Sequence, residues 1–147
     1  MMQVIMDTGP WVALLDRSEE KHGDCVEWFH QFEGDIFSSE AVLTEVLYLL
    51  NFSSKTRSAA IDFVLNGAIT LVPSNPESFK RAKRLMTKYK DIPMDYAEAT
   101  LICLAEDLFI TPIESKMLTK SPLTPLCPPG QRPKGRTHCH PPFIKGD

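Results

Sequence analysis

No apolar run in this chain approaches the ~18 consecutive residues that cross a bilayer, so a membrane protein is not expected. The N-terminus also lacks a basic region followed by an apolar block and a small-residue cleavage site. No secretory leader is therefore expected, and a cytoplasmic location is. Cysteine is sparse: Cys25, Cys103, Cys127 and Cys139 contain no Cys-x-x-Cys spacing. Reduced, structural thiols are the simplest account. No glycine-rich turn follows the first apolar segment, which argues against dinucleotide binding. A basic surface is missing too. The formal net charge is −3, with 10 basic against 17 acidic side chains over residues 1–110 and 6 against 2 over 111–147. An acidic body does not carry the usual footprint of a nucleic-acid binder. One local exception is Lys80, Arg81, Lys83, Arg84, Lys88 and Lys90, six cations within eleven residues on one predicted helix. They suit either an ordinary solvated face or a track for phosphates.

What is present is enough chain for one domain with a proper core: 147 residues, 43% of them hydrophobic. Apolar periodicity predicts strands over 3–7, 35–39, 69–72 and 108–111. It predicts helical segments over 10–16, 22–33, 40–50, 56–65, 76–89 and 95–106. Such alternation argues for an α/β fold with a mostly parallel sheet. Within the helix from Pro76, Phe79, Ala82 and Met86 form an apolar stripe. Residues 121–147 hold seven prolines and no helical or alternating pattern, so irregular or disordered chain is expected there. His138, Cys139 and His140, with Cys127 upstream, fit no usual zinc spacing.

Three carboxylates stand where acids are awkward. Asp7 follows the apolar run Val4–Met6 and precedes Thr8-Gly9-Pro10. It is either a helix cap or an acid delivered to the end of a buried strand. Glu45 lies inside the apolar helix Leu43–Leu50, where an unpaired buried carboxylate is costly. It must be exposed, ion-paired or metal-bound. Asp95 opens the apolar helix that begins at Tyr96; capping explains it as well as ligation does. Glu98, three residues on, suits a reciprocal capping partner or a second acid on the same face.

Taken together, IMDTGPWVALLDRSEEKH, SSEAVLTEVLYLL and IPMDYAEATLICLAEDL resemble the PIN-domain nucleases, including the VapC-type toxins, over residues 3 to about 111. That resemblance implies a compact three-layer α/β/α sandwich with a short, mostly parallel central sheet. It implies acids at the sheet's C-terminal edge holding Mg2+ or Mn2+ for hydrolysis of RNA. Asp7, Glu45 and Asp95 match the family's first three acids, and Thr8 its frequent hydroxyl neighbour. Hard divalent ions prefer such oxygen ligands and can activate a water against a phosphodiester. Acids so clustered repel, so without metal at least one should have a raised pKa. The resemblance also implies an antitoxin partner and homodimerisation.

The expected organisation is a nuclease domain over 1–115 and a proline-rich tail over 116–147. The departure from the family lies at their junction. A fourth acid is usual in or after the last strand, often in a Thr-Leu-Asp-Arg segment, whereas this chain reads Thr111-Pro112-Ile113-Glu114-Ser115. Glu114 and Glu98 are the substitutes. The rival expectation is a catalytically weak or inactive module that binds RNA or protein. A receiver or phosphatase-like domain fits less well, because Gly9 stands where the phosphatase pattern needs a second acid.

Overall fold

The computed structural model describes residues 2–92 and 94–108. In chain order the elements are β1 (Met2–Ile5), α1 (Thr8–Leu15), α2 (His22–Gln31), β2 (Gly34–Ser39), α3 (Glu40–Leu49) and α4 (Ser54–Leu65). They continue with β3 (Thr70–Val72), α5 (Pro76–Lys88) and α6 (Tyr96–Asp107). The three strands form one parallel sheet in the order β1-β2-β3, with Val4 opposite Ile36 and Ser39 opposite Val72.

Alternation along the strands builds the layers, because successive side chains leave a strand on opposite faces. Val4, Ile36 and Leu71 join the main core with Trp11, Val12, Cys25, Val42 and Val46, which α1, α2 and α3 supply. Ile5, Phe37 and Val72 take the other face and meet Leu101 and Leu104 of α6. On α6, Ala99 and Cys103 then bury Ala82 of α5. The result is the expected three-layer α/β/α sandwich, with α1–α4 on one side and α5–α6 on the other. Two positions require glycine: a Cβ on Gly34 would collide with the Met2 carbonyl of the neighbouring strand. Gly67 adopts φ +75 in the turn before β3, a conformation that favours glycine.

Most expected elements are present with shifted ends, and each shift has a cause. β1 stops at Ile5 rather than Asp7, because Asp7 accepts the Thr8 N–H and becomes the N-cap of α1. The sheet pairing persists one residue further, through Met6 N to the Phe37 carbonyl at 2.8 Å. Pro10 therefore sits in the first turn of α1, where its missing N–H would have had no helical partner anyway. α5 ends at Lys88, so Lys90 lies beyond the helix that the cations were expected to share. Leu108 closes α6 as its C-cap instead of opening a strand. The rest of that strand, Glu114, the tail over 116–147, Cys127, Cys139 and the paired histidines lie outside the described residues. Cys25 and Cys103 are buried free thiols.

Candidate active site

Parallel strands direct all their C-terminal ends one way, and the helices that follow start there. Asp7 stands two residues past the end of β1. Ser39, the last residue of β2, caps α3 by accepting the Val42 N–H at 3.2 Å, which puts Glu45 in the second turn of that helix. Asp95 caps α6 by accepting the Glu98 N–H at 2.8 Å. The alternatives of cap or clustered acid turn out not to compete, since Asp7 and Asp95 are both. A cap holds a carboxylate at the positive end of its helix, which partly offsets the repulsion from neighbouring acids.

Two hydroxyl contacts fix the helices relative to one another. Thr8 Oγ1 donates to Glu45 Oε2 at 2.8 Å, tying α1 to α3. Ser39 Oγ and Thr100 Oγ1 lie 2.8 Å apart in the buried interior, tying the start of α3 to α6. Thr100 gives its one hydroxyl proton to the Ala97 carbonyl at 2.6 Å. Ser39 must therefore be the donor to Thr100 while it accepts from Val42, since each hydroxyl has a single proton to give.

The acids so placed feel one another. Burial raises the pKa of Asp7; the Thr8 N–H pulls it back, and Asp95 raises it further. Burial is also the largest cause at Glu45, where the Thr8 hydroxyl opposes it and Asp95, Asp7 and Glu98 add to it. Glu98 is raised by burial and by Asp95, lowered by the Asp95 N–H and raised by Asp7. Glu98 is solvent-exposed, so water screens its interactions most. Asp7 and Glu45 are half-buried while Asp95 and Glu98 are exposed, so the cluster opens to solvent on one side.

The donor set suits a hard divalent cation. One oxygen each of Asp7, Glu45 and Asp95 is tied to the protein, and the other carries no hydrogen bond among the described residues. No three Asp, Glu, His or Cys side chains among those residues are gathered tightly enough to ligate one ion as they stand.

The structure thus joins Thr8 to Glu45 and Asp95 to Glu98 by hydrogen bonds, and places Asp7, Glu45 and Glu98 within electrostatic reach of Asp95. The Ser39–Thr100 link is what the sequence reading missed. Ser39 carried a signal, a Ser directly before an apolar helix, and Thr100 a weaker one, a hydroxyl among apolar neighbours. The cations of α5 divide. Arg81 pairs with Asp107 at 2.7 Å and Glu106 at 3.3 Å, and Lys80 and Arg84 both reach Glu77.

The family model described as the PIN domain matches residues 4–112. Among solved structures, the chain is similar to Mycobacterium tuberculosis VapC20, described as a sarcin–ricin loop cleaving toxin. The TM-score is 0.67 and the identity 18%, with 74% of this chain and 85% of that one covered. No curated protein matches by sequence.

Proposed function

The chain belongs to the PIN-domain family, and from that membership we propose that it is a divalent-metal-dependent endoribonuclease, the toxin of a type II toxin–antitoxin pair. The observation that carries the reading is geometric: Asp7 and Asp95 cap α1 and α6, Thr8 ties Glu45 of α3 to the start of α1, and the Asp95 charge reaches Asp7, Glu45 and Glu98. Asp7, Glu45 and Asp95 would hold Mg2+ or Mn2+, with Glu98 beside them. When bound, the ion supplies Lewis acidity and an activated water for phosphodiester hydrolysis.

The protein's own contribution is placement. The Thr8 hydroxyl holds Glu45 Oε2, and the Thr8 and Glu98 amides hold Asp7 and Asp95. Each carboxylate is thereby aimed before substrate arrives, which lowers the reorganisation needed at the reacting phosphate. Burial at Asp7 and Glu45 strengthens their hold on a cation and makes them better proton acceptors than free carboxylates. Family membership further supports a small antitoxin partner, homodimerisation and a cytoplasmic site of action.

A binding module without turnover is the second reading, favoured by the lack of a ready-made ligating trio among the described residues. One experiment separates the two: incubation with RNA in Mn2+, in Mg2+ and in chelator. Metal-stimulated cleavage that Asp7→Asn abolishes supports the nuclease. Asn can still accept the Thr8 N–H, so the variant keeps its cap and loses only the charge. Equal cleavage by the variant sinks the assignment, and tight RNA binding with no metal-stimulated cleavage favours the second reading.

A further inference from the structure

The apolar stripe on α5 is only partly buried. Ala82 is 2% exposed, but Phe79 and Met86 are 53% and 37% exposed. Phe79 lies parallel to Tyr96, with rings inclined by 3° and centroids 6.0 Å apart, an offset stack. Tyr96 is the first residue of α6, directly after its N-cap Asp95. Phe79, Ala82, Lys83 and Met86 share one helix face by their three- and four-residue spacing. With Tyr96 and Thr87 they line an open hollow of about 390 Å³. That lies at the lower end of the ~300–1,000 Å³ typical of ligand sites.

The neighbouring cations are mostly committed. Arg81, Lys80 and Arg84 are ion-paired, and Lys88 sits over the Tyr89 ring. Lys83 lines the hollow and forms no ion pair among the described residues. A polyanion approaching four carboxylates needs a compensating cation nearby, and an unpaired lysine beside flat aromatic rings offers both contacts a nucleotide makes.

We propose that this hollow is a nucleotide subsite for single-stranded RNA, a base lying against Phe79 and Tyr96 and a backbone phosphate meeting Lys83 Nζ. The proposal rests on the ribonuclease reading and extends it from the scissile bond to the strand beside it. Stacking of this kind accepts any base, so the subsite holds the strand without selecting a sequence.

The test is steady-state cleavage of a single-stranded RNA oligonucleotide by the full chain in Mn2+. Phe79→Ala is expected to raise KM on the order of ten-fold with kcat held within about two-fold, a loss of uniform binding. Phe79→Trp should restore KM, and circular dichroism should show both variants folded. An abasic nucleotide at one position should raise KM for the unsubstituted protein and add nothing to Phe79→Ala. Lys83→Gln should flatten the dependence of log KM on log salt by about 0.7, one single-strand phosphate contact. Unchanged KM in Phe79→Ala alongside normal cleavage by the parent overturns the subsite. So does a change in sedimentation or antitoxin binding with KM unaltered, which assigns the face to a protein partner. Absence of any RNA cleavage or binding by the parent instead removes the ribonuclease reading on which the subsite depends.

Discussion

Glu45 carries the sharpest conflict between stability and chemistry at the residue scale. It is half-buried, and that burial raises its pKa most; the Thr8 hydroxyl opposes the rise, and Asp95, Asp7 and Glu98 add to it. A raised folded-state pKa means the native protein holds the proton more tightly than the unfolded chain. The stability associated with it is complete below the unfolded carboxylate value and is lost as pH rises through the folded one. The metal-free protein should therefore lose stability as pH climbs from about 4.5, the ordinary Glu value. Glu45→Gln keeps an oxygen to accept from Thr8 and removes the charge. It should raise metal-free stability at neutral pH, in the ~0.5–2 kcal/mol range that charge optimisation commonly yields, and leave it unchanged at pH 4. Its RNA cleavage should fall by more than the ~10–100-fold that loss of an outer-shell partner costs. Chemical unfolding at the two pH values, with a cleavage assay, checks both halves. Equal stability of variant and parent at neutral pH would contradict a Glu45 charge opposed by burial and by neighbouring acids.

At the element scale, the site depends on how three helix starts are held together. The Ser39–Thr100 contact joins the start of α3 to α6 without touching the acids themselves. Thr100→Val leaves Ser39 without its acceptor in a buried place, and such an unsatisfied group costs about 1–3 kcal/mol. Thr100→Ser should recover most of that stability. If the contact also sets the spacing of Glu45 from Asp95, the Val variant will need more metal for half-maximal cleavage. A titration of rate against Mn2+ for Val and Ser variants measures this, and an unchanged half-point shows a role in stability alone. Such contacts explain how much of the site was legible beforehand. Asp7, Glu45 and Asp95 announce themselves because a carboxylate against apolar sequence is costly wherever it stands. Whether a cap also faces acids of other helices depends on residues 38 or more positions apart, as Asp7 and Glu45 are, which local pattern does not encode. Thr8 could be named as a neighbour, but its donation across 37 positions to Glu45 exists only in the fold.

For the whole molecule, alternation of strand and helix was enough to anticipate the layered α/β architecture, because each period is set by backbone geometry. The ends of elements were less legible: Asp7 and Leu108 were assigned to strands by apolar neighbours, and capping contacts claimed both. The assembled body is acidic, and Lys80, Lys83 and Lys88 lie along α5. Asp7, Glu45 and Asp95 form the candidate cation site. Binding of a cation there offsets the desolvation that burial imposes on Asp7 and Glu45 and their repulsion by Asp95, so metal and fold should be thermodynamically linked. A ligand bound only by the native state stabilises it by about 2.7 kcal/mol at one hundred times its dissociation constant. The most direct measurement is the unfolding midpoint at neutral pH as Mn2+ is titrated into the parent, Asp7→Asn, Glu45→Gln and Asp95→Asn proteins. The parent midpoint should climb with metal while each variant, intact in its caps, responds weakly or not at all. A metal-induced rise of equal size in all four proteins would contradict the claim that these distant acids form one cation site.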